Sequence, residues 1–162
     1  MQRTIFSLAI IGILSISIAI AHASCIKDGF RGIPWGTSIE DAIKKYGLEN
    51  VKDNIYIRKN DNLSLGDVPL NNIFYFINTE KKFVGVILRY NDEYFHDIIE
   101  ELSDNFGQPT LSISTKFEWD LHDIIIKTEL NTESIDPFSN IVIHIMTETD
   151  RKQQKSSRGG GF

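Results

Sequence analysis

Hydrophobic residues along this chain of 162 residues change twice from a helical spacing to strand alternation, which limits the folds it can adopt. The first helix is predicted after a capping box at residues 37–40, in which the Thr37 hydroxyl can accept a hydrogen bond from the Glu40 amide. Its apolar residues reach Tyr46, and Gly47 is expected to end it.

The second predicted helix begins near Asn91 and Asp92, where acidic side chains favour a helix N-terminus. Gly107 and Pro109 are expected to end it. Its apolar stripe comprises Phe95, Ile98, Ile99, Leu102 and Phe106.

Three alternating segments follow each helix. Residues 55–58, 73–78 and 83–90 follow the first helix, and the polar turn at residues 79–82 predicts a β-hairpin. The segments after the second helix are residues 114–120, 122–130 and 140–147. We therefore predict an α+β fold in which a duplicated α-β-β-β unit, about residues 30–91 and 92–150, forms one antiparallel sheet with helices on one face.

Residues 1–23 have the features of an export signal. Arg3 gives a short positive region, residues 5–20 are almost wholly apolar, and Ala21-His22-Ala23 fits a small-residue cleavage site. The apolar run is shorter than the roughly 20 residues that span a bilayer. Cleavage between Ala23 and Ser24 is therefore expected, which would place the mature chain in the periplasm or outside the cell, without a transmembrane segment.

The single cysteine, Cys25, raises the alternative of a lipid anchor. A bacterial lipoprotein signal resembles Leu-Ala-Gly-Cys, and here Ala23 and Ser24 fit this pattern but His22 stands where a leucine is required. A free or intermolecularly paired thiol is therefore favoured over lipidation.

Charge is distributed unevenly along the mature chain. Residues 24–91 carry 10 basic and 8 acidic side chains, residues 92–150 carry 2 and 14, and residues 151–162 carry 4 and none. The acidic second half argues against nucleic-acid binding, and a cationic partner, such as a basic protein, or simple solubility fits it better.

Residues 24–150 are long enough for one domain. Residues 151–162 are expected to be a disordered basic tail, because they contain no apolar residue before Phe162. The alternatives are that this tail folds back on the acidic half, or that it serves as a sorting element or binds an anionic surface.

No catalytic, metal or cofactor site is predicted. His96, His122 and His144 have no ligand partner at the spacing of a helical metal motif, and no nucleophile elbow or phosphate-binding glycine loop is present. The carboxylates of residues 97–104 are expected on the solvated side of the second helix.

Two segments carry a resemblance to a known group of proteins. They are Gly36-Thr37-Ser38-Ile39-Glu40-Asp41-Ala42 and Phe106-Gly107-Gln108-Pro109. With the α-β-β-β order, they resemble the small exported domains of the β-lactamase inhibitory protein and SmpA/OmlA lipoprotein type. Residues 30–38 also resemble the opening of uncharacterised secreted bacterial proteins. This resemblance implies a non-catalytic module that binds other proteins through an open sheet face.

Aromatic residues are the predicted contacts for such a partner. Phe30, Phe117 and Trp119 are expected in the core. Tyr56, Tyr75 and Tyr90 are expected on the polar face of the sheet, as the partner-binding residues. The predicted function is thus an exported protein-binding or envelope-associated module, and the alternative is an exported small-molecule-binding protein or a hydrolase.

Overall fold

The computed structural model describes residues 26–130 and 137–146. Residues 26–28 are helical, and two α-helices lie further along the chain, α1 (Ile39–Tyr46) and α2 (Phe95–Phe106). The strands are β1 (Gly29–Phe30), β2 (Ile33–Pro34), β3 (Leu48–Lys52), β4 (Ile55–Arg58), β5 (Ser64–Leu65), β6 (Val68–Pro69), β7 (Asn72–Ile77), β8 (Phe83–Asn91), β9 (Leu111–Ile113), β10 (Lys116–Asp120), β11 (Ile124–Glu129) and β12 (Phe138–Ile145).

Eight of these strands form one antiparallel sheet in the order β3-β4-β7-β8-β12-β11-β10-β9. This confirms the mixed α+β class and the antiparallel sheet. Each helix is followed by four strands of the sheet, and the last strands of the two sets, β8 and β12, pair at its centre. The three strands predicted after each helix are therefore one too few.

The two strands of the eight-stranded sheet that sequence did not predict, β3 and β9, lie at its two edges. The short hairpins β1–β2 and β5–β6, which form two separate sheets, were not predicted either. Only Leu48 is buried in β3, and every residue of β9 is exposed. A strand with no buried face shows no hydrophobic alternation, so the pattern that reveals the inner strands is missing here.

Helix α1 begins one residue later than predicted. Ser38, not Thr37, is the N-cap, and its hydroxyl accepts a hydrogen bond from the Asp41 amide. The Thr37 hydroxyl instead donates to the Pro34 carbonyl at 2.7 Å. Gly47 ends the helix in the left-handed conformation, as predicted.

Helix α2 is preceded by one turn of 3₁₀ helix, Asp92–Tyr94, capped by the Asn91 side chain. The predicted stripe faces the core, with Phe95, Ile98 and Leu102 buried. Gly107 follows the helix with φ 80° and ψ −170°, a conformation that essentially only glycine adopts. The predicted helix end at this residue is confirmed.

The core lies against one face of the sheet, here called the core face. One row of paired residues crosses it over six strands, and all six are buried: Tyr56, Tyr75, Val86, Ile143, Ile126 and Trp119. Side chains of both helices belong to the same buried cluster, including Ala42 of α1 and Ile98 of α2. The predicted burial of Phe30 and Trp119 is confirmed, and Phe117 is half-buried against this cluster.

The segment before α1 forms a hairpin that packs on the core. Arg31 and Gly32 both have positive φ, as a type I′ turn between β1 and β2 requires. The Trp35 ring stacks on Phe83 at 4.8 Å, and its Nε1 donates to the Ile26 carbonyl at 2.8 Å.

In the described part of the chain, no helix is both long and apolar enough to span a bilayer. The predicted cleavage site at Ala23 and Ser24, the lipidation site at Cys25 and the basic tail of residues 151–162 lie outside the described residues.

Candidate functional site

The sheet face opposite the core, here called the outer face, is the candidate surface among the described residues. One paired row crosses six strands on it: Phe74, Ile87, Val142, Lys127, Glu118 and Leu111. Phe74, Ile87 and Val142 are half-exposed, although the solvated face of an antiparallel sheet is usually polar. The first half of this row is therefore apolar, and the second half consists of the charged Lys127 and Glu118 followed by the exposed Leu111.

The adjacent row extends the apolar part of the outer face. Ile55 pairs with Phe76, Phe76 with Gly85, Gly85 with His144, and His144 with Ile125. Ile55 and Phe76 are half-exposed, whereas Ile125 is fully buried. Ile55 and Phe76, together with Phe74, Ile87 and Val142, form the apolar patch of the outer face.

Beside the apolar patch lies a groove of about 640 Å³. The outer-face residues that line it are Leu111, Lys116, Glu118, Lys127, Glu129, Asn140 and Val142. Two ion pairs cross its floor: Lys116 Nζ lies 2.7 Å from Glu129 Oε1, and Lys127 Nζ lies 3.5 Å from Glu118 Oε2. The floor thus combines paired charges with aliphatic side chains.

The predicted contact residues Tyr56, Tyr75 and Tyr90 do not lie on the outer face. They are buried on the core face, with Tyr75 and Tyr90 at 0% exposure and Tyr56 at 9%. The prediction that they are exposed is therefore wrong. Both faces of β4 and β7 carry large apolar side chains, so alternation alone does not distinguish the core face from the outer face.

Buried hydrogen bonds make the burial of Tyr75 favourable. Its hydroxyl donates to Asp61 Oδ2 at 2.6 Å, and Arg31 Nη1 lies 2.7 Å from Asp61 Oδ1. Burial, followed by the hydrogen bond and charge of Asp61, raises the pKa of Tyr75 well above its usual range. The tyrosine therefore stays neutral. Because Arg31 also donates to the Ser64 carbonyl, the network holds the loop before β5 against the β1–β2 hairpin.

Tyr90 has a second buried polar network beneath the start of α2. Its hydroxyl and that of Thr128 are hydrogen-bonded at 2.8 Å, and the neighbouring Ser139 donates to Asp92 Oδ1. Burial raises the pKa of Tyr90 to about 12, although hydrogen bonds from Thr128 and Ser139 oppose the shift. Both tyrosines thus stabilise the core.

The three mature histidines lie on different elements of the fold. His96 is exposed on α2, His122 is exposed in the turn between β10 and β11, and His144 is half-exposed on the outer face. Within residues 26–130 and 137–146, no three His, Cys, Asp or Glu side chains are grouped so that they could hold a metal ion.

Phe74 and Phe76 are the surface aromatics that sequence reasoning missed. They alternate with Ile73, Tyr75 and Ile77, so every residue from 73 to 77 is large and apolar or aromatic. Such a run predicts a strand with little water on either face. This was the signal in the sequence for a second apolar surface.

Comparison with protein-family models, with curated proteins and with solved structures found no match to this chain.

Proposed function

We propose that this chain is an exported, non-catalytic module that binds another protein through the outer face of its sheet. The observation that carries this proposal is the apolar patch, where Phe74, Ile87 and Val142 are adjacent and half-exposed on three neighbouring central strands. Contiguous exposed apolar surface bordered by polar residues is typical of protein interfaces.

Export is proposed from the sequence of residues 1–23, with cleavage after Ala23. Action in the periplasm or outside the cell follows from it. We also propose that the two halves, about residues 30–91 and 92–150, are a duplicated unit with both helices on the core face. The equivalent order of one helix and four sheet strands in each half, and the central pairing of β8 with β12, support this. That arrangement is compatible with the resemblance to exported α-β-β-β modules.

Site-specific photocross-linking in the native host tests the binding function. A benzophenone amino acid in place of Phe74 lies on the apolar patch, and one in place of Glu100 lies on the exposed side of α2 as a matched control. We expect a discrete cross-linked protein adduct from position 74 and none from position 100. Equal adducts from both positions, or none from position 74, would refute binding through the outer face.

A further inference from the structure

We propose that two copies of this chain pair edge to edge through β9, antiparallel and centred on Ser112, and so join their sheets into one. This inference goes beyond the proposed function, because its partner is a second copy of the chain and its surface is a strand edge. Main-chain geometry, register and charge each contribute to the argument.

The main chain of β9 has hydrogen-bonding groups directed away from the sheet. Among the described strands, β9 pairs only with β10. Ile113 and Lys116 close a two-residue turn, and such a closing pair exchanges both of its main-chain hydrogen bonds. Because hydrogen-bonded and non-hydrogen-bonded pairs alternate along an antiparallel ladder, Ser112, opposite Phe117, directs its N–H and C=O away from β10. These two groups are a template for another strand.

The side chains of β9 do not discourage such pairing. Leu111 is 42% exposed and Ile113 is 58% exposed, and both lie on the outer-face side. Residues 105–115 contain no charged side chain, whereas exposed sheet edges usually carry charges that prevent association. The β9 edge is therefore both apolar and uncharged.

The opposite edge of the sheet, β3, is protected. Its exposed residues include Glu49 and Lys52, and its register with β4 shifts between Asn50 and Lys52. Charged side chains and bulges are features that keep an edge unpaired. Since one edge is open and the other is protected, association through β9 ends at two copies and does not continue into a fibre.

The register makes β9 complementary to itself. In an antiparallel pair centred on Ser112, the two Ser112 main chains exchange two hydrogen bonds, and Leu111 of each copy lies opposite Ile113 of the other. The four exposed aliphatic side chains then meet on the outer-face side. Residues 109–115 face the same residues of the other copy, so no like charges are opposed within this contact.

The contact is limited to the length of β9. The Thr110 amide already donates to the Glu118 carbonyl, and Ser114 has positive φ, so neither residue extends the pairing. An interface of this length is smaller than those of permanent dimers. We therefore expect a reversible dimer with a dissociation constant of about 10–500 µM.

Such a dimer would present two copies of the outer face together. The twofold axis of an antiparallel edge pair is normal to the sheet, so both apolar patches lie on the same side of the joined sheet. A partner with two binding segments could then contact both patches and gain avidity without any new kind of contact.

Sedimentation equilibrium of the purified exported chain tests the proposal. Loaded from about 5 µM to 1 mM, the chain should change from monomer to dimer, with no larger species. Each copy carries 16 basic and 22 acidic residues after removal of residues 1–23, so the copies repel each other at long range. Raising salt from about 20 mM to 500 mM should therefore tighten the dimer by about twofold or more. An association carried by opposite charges would weaken instead.

Substitutions on the two edges locate the contact. Ile113→Lys should weaken the dimer by about tenfold or more, because a charge replaces an aliphatic contact. Val51→Lys makes the matched change at a 54% exposed position of β3 and should alter the dissociation constant by less than about threefold. Ser112→Pro removes the N–H that points to solvent in the single chain, and should also weaken the dimer by about tenfold or more. Circular dichroism should show the same fold for all three variants.

A mixture of two variants tests the register. In the proposed pairing, the lysine introduced by Ile113→Lys faces the glutamate introduced by Leu111→Glu on the other copy, and the native aliphatic pair remains on the opposite side of the axis. We expect the mixed dimer to be about fivefold tighter or more than the dimer of either variant alone. No gain on mixing would contradict pairing centred on Ser112.

A chain that stays monomeric at about 1 mM would overturn the proposal and leave the edge to a strand of another protein. A dimer weakened equally by Val51→Lys, or unchanged by both Ile113→Lys and Ser112→Pro, would also overturn it, because the copies would then associate elsewhere. The photocross-link from position 74 does not depend on β9, so failure of the dimer leaves the proposed function standing.

Discussion

Trp119 Nε1 donates a hydrogen bond of 2.8 Å to the carbonyl of Gly107, which joins the centre of β10 to the end of α2. Trp119 is 1% exposed and stacks beside Phe117. Its indole therefore both fills the core and determines where the chain leaves the helix.

Replacement of Trp119 should separate these two roles. Trp119→Phe keeps an aromatic ring but removes the donor, and should lower the free energy of unfolding by about 1–3 kcal/mol. Trp119→Ala also leaves a cavity and should lower it by about 3–5 kcal/mol. Urea titration followed by circular dichroism measures both. Equal losses would show that packing of the aromatic ring contributes nothing beyond the hydrogen bond.

Gly107→Ala tests the backbone at the end of α2. With φ 80° and ψ −170°, a side chain at this position costs about 1–3 kcal/mol, although no atom lies within 4 Å of the added Cβ. We expect the melting temperature to fall by roughly 4–10 °C. Gln108→Ala, at the exposed neighbouring position, is the control and should shift it by less than 2 °C. An unchanged melting temperature for Gly107→Ala would show that the helix end tolerates a side chain.

Tyr75→Phe removes the donor to Asp61 while the ring stays in place. The buried carboxylate loses one of its partners, and the free energy of unfolding should fall by about 1–3 kcal/mol. Tyr46→Phe, which removes a hydroxyl from a half-buried side chain of α1, is the control and should cost less than about 0.5 kcal/mol. Equal costs measured by urea titration would contradict a structural role for the Tyr75 hydroxyl. Tyr75→Ala should unfold the domain.

Alkaline pH should destabilise the fold through Tyr90. Its pKa is about 12 in the folded chain and 10.0 as the ordinary value, so the unfolded chain loses the proton first. The contribution of neutral Tyr90 to the free energy of unfolding is complete below pH 10 and is lost between pH 10 and pH 12. It amounts to about 2–3 kcal/mol. The unfolding free energy of the Tyr90→Phe variant should not show this part of the decline with pH. Tyr75 contributes to the pH dependence of both proteins. Identical slopes of unfolding free energy against pH would contradict the burial of an ionisable Tyr90.

Processing of the N-terminus is the fifth prediction. N-terminal sequencing of the exported protein should find Ser24 as its first residue, because Ala21 and Ala23 fit the small pockets that recognise a cleavage site. Ala23→Arg should block maturation and leave the longer precursor, whereas Lys27→Arg, a few residues later, should be processed normally. A mature chain that begins at a lipid-modified Cys25 would contradict this prediction.

The helices and inner strands could be predicted because their residues have one buried side. Phe95, Ile98 and Leu102 recur at the helical period, and Gly107 marks the end of that helix. The sequence did not show which side of β4 and β7 faces the core. Whether Tyr75 or Phe76 is buried depends on Asp61, which hydrogen-bonds to Tyr75 and is brought close to it only by folding. Likewise, the ion pair of Lys116 with Glu129 depends on the register of β10 against β11.

The central position of β12 imposes an order on assembly. This strand is the last in the chain order of the described elements, yet it lies between β8 and β11. Its Ile143 pairs with Val86 and Ile126, and all three residues are buried in the core. Until residues 138–145 are available, β8 and β11 each have an unpaired edge, and the two halves of the sheet have no strand in common. A nascent or C-terminally shortened chain would therefore expose two long apolar edges at once. Pairing of β12 with β8 and β11, which completes the sheet, is thus also the step that protects the protein from aggregation.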